Sequence, residues 1–255
     1  MINADQPNCF EEDRVLAAVS SKEDGQMQFG WSEADQEVEA NRRTFLQTND
    51  LSLERSVLVR VRYHDAATYD VIRKVDDTDA PEGMLRLEGE AADCLVTKSP
   101  NLALFLPVAD CIATIVHDPI KNVLALAHLG RHSTVADLAE KLIYYFQTEY
   151  NSDPKDLIVW MSPSIKSPNY IMQTADFTHK NPTWEPFCTP VAGGFSLDMQ
   201  GYNRSRFIAA CVQADNITIS RQNTAADSNY WSHYTETTVK NKPAPPRFGV
   251  VCSLV

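Results

Sequence analysis

Several short stretches of the chain either alternate apolar and polar residues or are almost wholly apolar, which are the patterns of β-strands. The clearest alternation is SVLVRVRY at residues 56–63, which brings His64 to the end of a predicted strand. Two apolar runs lie on either side of the turn-like DPIKN, and they contain Cys111 and His128. Further strands are predicted at residues 15–19, 94–99, 101–111, 157–161, 217–220 and 248–254.

Helices are predicted where capping residues precede apolar residues at helical spacing. Ser32 begins SEAD, a capping-box pattern that predicts a helix through Leu46. Ser133 is predicted to cap a second helix and Ser196 a third. The second helix has five apolar residues at helical spacing, namely Val135, Leu138, Leu142, Ile143 and Phe146. Because no repeat, low-complexity tract or linker interrupts the chain, we predict one domain of strands and helices over residues 1–255.

The composition indicates a globular protein with a small-molecule partner. Hydrophobic residues make up 44% and charged residues 22% of the 255 residues, and the net charge is −11. Such an acidic chain offers no basic surface for nucleic acid or for an anionic membrane. Residues 1–15 lack the basic and apolar regions of a signal peptide, and no apolar run reaches membrane-spanning length. These features predict a cytoplasmic protein.

The cysteine pattern agrees with a reducing compartment. The chain has six cysteines, scattered and without a CxxC pair, so reduced thiols are expected. A free cysteine in an apolar run commonly packs as a small hydrophobic residue. The six are Cys9, Cys94, Cys111, Cys188, Cys211 and Cys252.

Cys111 and His128 are the candidate chemical pair, seventeen positions apart on either side of the DPIKN turn. If the turn pairs Val116 with Val123, then Cys111 and His128 face each other, with Cβ atoms about 4.5–5.5 Å apart. From the residues alone, three interpretations stay open. The two are packing residues, or the nucleophile and base of a hydrolase, or ligands of a metal whose third ligand is His64.

The motifs around this pair resemble a known family. ADC at 109–111, followed by AHLG at 127–130, resembles the ADC…AHAGWRG signature of the laccase-domain, or multicopper polyphenol oxidase, family. VEANRR at 38–43 and LDMQGYNRSRF at 197–207 fall in the family's order, so the resemblance covers nearly the whole chain. It implies an α+β fold of mixed β-sheets layered against α-helices.

The resemblance also implies a metal site. RYHD places His64 where the family has the histidine of QVHG, so the implied metal ligands and catalytic residues are His64, Cys111 and His128. Zinc is the expected cofactor. Copper-dependent oxidation of phenols, which the family name suggests, is disfavoured because one cysteine and two histidines are too few ligands for several coppers and no HxH pair exists.

The chain departs from the family where phosphate is expected to bind. GWRG becomes Gly130, Arg131, His132 and Ser133, and the glutamine of QVHG becomes Arg62. The arginine of an early TxRxGG loop becomes a lysine. Arginine and lysine differ in their grip on phosphate, so a change in substrate choice or rate is expected. The implied phosphate-binding residues are Arg131, Arg62, Lys22 and His132.

The function implied by the resemblance is zinc-dependent phosphorolysis of adenosine, inosine or guanosine to the free base and ribose 1-phosphate, with adenosine deamination as a second activity. The partners are then a purine nucleoside and phosphate. Two further hypotheses stay open. One is a metal-free Cys/His hydrolase or deamidase. The other is a protein that binds zinc or a nucleoside without catalysis, which the altered GWRG segment supports.

Overall fold

The computed structural model describes residues 6–12, 14–29, 35–86, 88–174 and 181–255. The helices are α1 (Gln36–Thr48), α2 (Arg131–Val135), α3 (Leu138–Tyr150) and α4 (Met199–Ala209). The strands are β1 (Val15–Val19), β2 (Ser56–Leu58), β3 (Ile72–Lys74), β4 (Cys94–Thr97), β5 (Ala103–Val108), β6 (Ile112–Asp118), β7 (Val123–Leu129), β8 (Ile158–Met161), β9 (Ile171–Met172), β10 (Cys188–Val191), β11 (Gly194–Leu197), β12 (Ile217–Ile219) and β13 (Phe248–Leu254).

The described strands form three sheets, and the two larger ones mix parallel and antiparallel pairs. A four-stranded sheet has the order β1-β13-β5-β2, and a six-stranded sheet has the order β12-β8-β6-β7-β4-β3. A small third sheet, β10-β11-β9, is wholly antiparallel. In the two larger sheets, β2 pairs with β5, β3 with β4 and β12 with β8 in parallel. The chain therefore returns between these strands through longer connections.

The two larger sheets pack face to face and helices cover their outer faces. Alternate residues of the strands, such as Ile115 and Leu126, point into the layer between the sheets. On the outer face of the six-stranded sheet, Leu142 and Phe146 of α3 pack with residues of α4. On the outer face of the four-stranded sheet, α1 packs through Phe45 and its neighbours. The expected α+β arrangement of mixed sheets layered against helices is confirmed.

The predicted strand at residues 56–63 ends earlier than its alternation suggests. Its regular pairing with β5 stops at Leu58, opposite Phe105. Pro107 lies two residues further along β5, and proline has no N–H to continue the ladder. Residues 59–64 therefore leave the sheet and line a cleft. By contrast, β1 and β13 have the predicted limits.

The helix starts differ from the predicted caps. Ser32 lies outside the described residues, and α1 begins at Gln36, where the carboxylate of Asp35 accepts from the N–H of Glu37. Ser196 lies in β11, and α4 is capped by Asp198. In both helices the aspartate next to the first turn supplies the acceptor for the free backbone N–H groups.

The second predicted helix is divided into α2 and α3. Ser133 lies inside α2, where its hydroxyl accepts from the N–H of Gly130 and donates to the carbonyl of His128. Asp137 has a φ of 59°, a left-handed conformation that ends α2 and starts α3. Gly130, which follows His128 and Leu129 in the chain, is the N-cap of α2. Among the described residues, every helix is too short or too polar to cross a lipid bilayer.

His117 lies buried in β6, with its ring edge-on to Phe10. Burial lowers the pKa of His117 to about 4, an effect that Arg14 reinforces and Asp118 opposes. The buried Nε2 has no hydrogen-bond partner among the described residues. The neutral ring is therefore the form that the folded protein accepts.

We expect acid to destabilise the protein partly through this histidine. Between pH 6.5 and about 4 the unfolded chain binds a proton at His117 that the folded chain does not. The free energy of unfolding should therefore fall by roughly 2 kcal/mol as the pH falls through this range. Urea unfolding at several pH values should show a shallower pH dependence for His117→Gln than for the native chain. Parallel curves for the two proteins would contradict this assignment.

Candidate metal centre and its two clefts

The β6–β7 hairpin has a different register from the one predicted. Asp118 pairs with Val123, and Ala113 pairs with His128, so the predicted pairing of Cys111 with His128 is wrong by two positions. The carboxylate of Asp118 accepts from the N–H groups of residues 120 and 121, each at 2.8 Å. This local bonding closes the turn over residues 119–122 and carries β6 two residues beyond Val116, whereas β7 still begins at Val123.

Cys111 still lies beside His128, because both flank Gly130. Cys111 directly precedes β6, and Gly130 directly follows β7. A Cβ atom at Gly130 would lie 3.0 Å from Nε2 of His128 and 3.2 Å from Sγ of Cys111. The two donor atoms therefore border the same small space, which the missing side chain of Gly130 leaves open.

His128 is held in one orientation by Asp93. The imidazole is buried in the layer between the two sheets, and its Nδ1 lies 2.5 Å from Oδ1 of Asp93. Asp93 is also buried and directly precedes β4. Its backbone carbonyl accepts from the backbone N–H of His128 at 2.7 Å. Nε2 of His128 is buried, and no atom of the described residues lies in a position to hydrogen-bond to it. It therefore faces the space shared with Cys111.

The charge state of His128 follows from these neighbours. Burial alone would lower the pKa of His128, but Tyr63, Cys111 and the bond to Asp93 outweigh burial and hold the pKa well above its ordinary value. These neighbours therefore favour a positive charge at the His128 ring, which a proton or a metal ion at Nε2 would supply.

These residues fit a metal ion in that space. A carboxylate that fixes one ring nitrogen of a histidine, while the other ring nitrogen faces a cation, is the usual support for a metal-binding histidine. His128 supplies an imidazole nitrogen and Cys111 a sulfur, a combination that suits zinc. An orphaned buried nitrogen such as Nε2 is uncommon unless a ligand satisfies it.

The third expected ligand, His64, is not brought to this pair. His64 is exposed in a turn, and among the described residues no three His, Cys, Asp or Glu side chains are grouped closely enough to hold a metal ion. Its neighbour Tyr63 does reach the pair, because the Tyr63 ring meets His128 edge to face at 5.7 Å. The three-ligand site therefore stays a prediction.

We expect Asp93→Asn to weaken metal binding. The amide keeps the size of the side chain but removes the charge that supports His128, and changes of this kind lower metal affinity about 10- to 100-fold. Competition for zinc with a colorimetric chelator measures the effect. Asp77→Asn is the matched control, because Asp77 is exposed and bonded to a surface arginine. Equal zinc affinities of the two variants would contradict a supporting role for Asp93.

An apolar cleft of about 500 Å³ opens next to Cys111. The rings of Tyr170 and Tyr234 meet edge to face at 5.6 Å inside it. Its size and lining are typical of a site for a small aromatic ligand. The apolar cleft is lined by Cys111, Tyr170, Ile171, Met172, Met199 and Tyr234.

A second cleft, of about 650 Å³, lies on the Tyr63 side of the pair. We call it the arginine cleft, because three arginines from separate parts of the chain line it. The sequence singled out only one of them, Arg62. The arginine cleft is lined by Arg60, Arg62, Tyr63, His64, Pro107 and Arg247.

The structure separates the four cations expected to bind phosphate. Arg131 lines the apolar cleft, where its guanidinium lies 3.1 Å from Nε2 of His132 and 3.6 Å from Sδ of Met172. His132 stacks on Tyr69 at 4.6 Å. Arg62 lines the arginine cleft, and Lys22 lies in a short turn outside both clefts. A single cluster of these four residues does not form.

Two acids that hold the Cys111–His128 pair in place, Asp93 and Asp110, were not predicted from the sequence. Asp110, buried beside Cys111, accepts from the hydroxyls of Thr224 and Ser232 and from the N–H of Tyr234. It fastens the segment that carries Tyr234 to the Cys111 loop. Asp93 supports His128. A shared signal existed, because Asp93 and Asp110 each directly precede a cysteine at the start of an apolar run.

Comparison with known families identifies the family of the chain. Residues 15–241 match the family described as multi-copper polyphenol oxidoreductase laccase. The chain belongs to this laccase family. The match includes every described strand except β13, so the resemblance found in the sequence is confirmed.

Relatives of this laccase-family chain have enzyme names. It is 24% identical to "Purine nucleoside phosphorylase YlmD" of Bacillus subtilis over 64% of this chain and 61% of that relative. With the protein of the same name from Geobacillus stearothermophilus it is 26% identical over 77% of this chain and 73% of the relative. "Adenosine deaminase RL5", from an unknown prokaryotic organism, is 25% identical over 57% of this chain and 55% of the relative.

The fold of this laccase-family chain also matches solved structures. The crystal structure of the hypothetical protein YfiH from Bacillus licheniformis aligns with a TM-score of 0.86 at 22% identity. The alignment covers 96% of this chain and 94% of that one. The shared fold is therefore established over almost the full length of both chains.

Proposed function

We propose that this protein is a zinc-dependent purine nucleoside phosphorylase. The observation that carries the proposal is the space in front of Gly130, where Nε2 of His128 and Sγ of Cys111 meet beside an apolar cleft. The phosphorylase names of the YlmD relatives support the reaction class. The substrates are adenosine, inosine or guanosine together with phosphate, and the products are the base and ribose 1-phosphate.

Zinc is the proposed cofactor, held by Cys111, His128 and His64. When bound, zinc supplies a fixed positive charge that polarises a substrate atom. Its protein environment is set by Asp93, which holds the His128 ring so that Nε2 faces the shared space. His64 would join from the turn that follows Tyr63. We place the enzyme in the cytoplasm, which the free thiols of its cysteines support.

The reaction needs a place for the purine away from water. In phosphorolysis a phosphate oxygen attacks C1′ of the ribose, the bond from C1′ to the purine nitrogen breaks, and the base leaves with the electron pair and takes up a proton. The apolar cleft suits the base because Tyr170 and Met172 offer flat or adaptable apolar surface next to Cys111. Arg131 supplies hydrogen-bond donors at the edge of that cleft.

A metal-free hydrolase is the second candidate, and one observation favours it. Asp93 bonds to one nitrogen of the His128 ring, and Cys111 lies beside the other. This is the spatial arrangement of acid, base and nucleophile that cysteine hydrolases use. Such an enzyme would keep its activity in a strong chelator and lose it on alkylation of Cys111. The phosphorylase would lose activity in both treatments.

Chromatography of reaction mixtures tests the proposal. The purified protein is incubated with adenosine, inosine and guanosine, with and without phosphate, and with and without a chelator. Release of free base that requires phosphate and zinc is expected. Inosine formed from adenosine without phosphate would favour deamination, as the name of the RL5 relative suggests. Oxidation of phenols only after copper loading would favour a polyphenol oxidase. Nucleoside or zinc binding without any product would favour a binding protein.

A further inference from the structure

The arginine cleft concentrates positive charge in an acidic protein. The net charge of the chain is −11, which repels anions at long range. Among the described residues that line the cleft, Arg60, Arg62 and Arg247 nevertheless outnumber a single acid, Asp65. The Asp65 carboxylate is engaged in accepting the N–H of Ala67. The cleft therefore presents a local excess of guanidinium groups to a ligand.

Arg247 connects this cleft to the candidate metal centre. Its Nη1 donates to the hydroxyl of Tyr63 at 3.1 Å, and its guanidinium lies 5.1 Å from the centre of the Tyr63 ring. The same ring meets His128 edge to face at 5.7 Å. One aromatic side chain thus separates Arg247 from the imidazole, and the hydrogen bond to the tyrosine fixes where the guanidinium points.

Arg62 is available for a ligand. Its side chain is exposed and makes no hydrogen bond or ion pair with any described residue. Arg60, by contrast, donates to the carbonyl of Gly89 and lies near Glu82. The fork of donors on a free guanidinium matches two oxygens of a phosphate group.

We propose that the arginine cleft binds a phosphate-type oxyanion through Arg62 and Arg247. This inference rests on the proposed function, for which it supplies the site of the second substrate. It also changes the expected phosphate ligands, because Arg131 lines the apolar cleft and bonds to His132, and Lys22 lies outside both clefts. The base and the oxyanion then approach the Cys111–His128 pair from different sides.

Titration calorimetry with inorganic phosphate, without nucleoside, tests this site. Arg62→Gln and Arg247→Gln should each weaken phosphate binding about tenfold, the effect of losing one hydrogen bond between charged groups. Arg62→Lys should restore only part of the affinity, because an ammonium cannot bind two oxygens side by side. Arg204→Gln is the matched control, since Arg204 lies on α4 and lines neither cleft. It should bind as the native protein does.

A second series separates this site from the metal and from the proposed reaction. In the Cys111→Ala background, phosphate binding that still depends on Arg62 shows that the anion is held by the arginines.

Adenosine 5′-monophosphate distinguishes the source of the oxyanion. Much tighter binding than inorganic phosphate would assign the cleft to the phosphate group of a nucleotide, whereas similar or weaker binding would assign it to free phosphate.

The outcomes for the two proposals are distinct. Phosphate affinity that is equal in the native protein, Arg62→Gln and Arg247→Gln, or absent in all of them, would overturn the oxyanion site. Because binding is measured without nucleoside, failure to release base would count against the phosphorylase alone. Since Arg62 has an exposed side chain, circular dichroism should show an unchanged fold for its variants.

Discussion

Replacing Cys111 by alanine is expected to lower the proposed phosphorolysis about 1,000-fold and to abolish the proposed zinc binding. The sulfur is one of the two donor atoms that border the space at Gly130. Positive charge from a bound metal supplies several kcal/mol of transition-state stabilisation, and each 1.36 kcal/mol is a factor of ten in rate. Activity with saturating phosphate and zinc content after dialysis are the two measurements.

The matched control for this variant is Cys211→Ala. Cys211 is exposed and lies beyond the end of α4, away from both clefts. It should keep full activity and full zinc content. Retention of one zinc per chain in Cys111→Ala, together with loss of activity, would instead support a nucleophilic thiol. Native activity in Cys111→Ala would contradict both assignments of this residue.

Gly130→Ala is expected to disable the site even though it changes no donor atom. The added Cβ would lie 2.7 Å from Cε1 of His128 and 3.2 Å from Sγ of Cys111. Either the His128 ring must leave the position in which Asp93 holds it, or the Cys111 sulfur must move away from the ring. Because displacements of about 1 Å at a reacting centre lower rates about 100-fold, we expect a loss of at least that size. Crowding also destabilises the fold by about 1–3 kcal/mol.

Gly193→Ala is a demanding control for that variant. A Cβ at Gly193 meets nothing within 4 Å, but the φ of 89° makes any side chain there strained. This variant should therefore lose about 1 kcal/mol of stability and keep its activity. A native rate for Gly130→Ala, measured at a temperature where both variants are folded, would show that the space between Cys111 and His128 is not used.

Sequence patterns predicted the parts of this fold that depend on local periodicity. The limits of β1 and β13 follow from apolar runs alone. The nearness of Cys111 to His128 also follows from a hairpin, although Asp118 shifts its register by two residues. A side-chain acceptor decides that shift, and the alternation of apolar residues is the same in both registers.

Features that depend on distant parts of the chain were not predictable in this way. Asp93 lies 35 positions before His128, and Arg247 lies 184 positions after Tyr63. The position of His64 depends on where β2 leaves the sheet, which Pro107 of another strand determines. Periodicity within one segment contains no information about such partners, so the arginine cleft emerged only from the structure.

In the proposed reaction, the ribose of a purine nucleoside is transferred to phosphate at the Cys111–His128 centre. Phosphorus NMR of the protein with inosine and inorganic phosphate tests it most directly, because phosphorolysis moves phosphorus from the orthophosphate signal to a sugar phosphate signal. We expect growth of a ribose 1-phosphate signal in step with release of hypoxanthine, and no such growth with Cys111→Ala. Hypoxanthine released while the orthophosphate signal stays constant would contradict the proposed phosphorolysis and indicate hydrolysis.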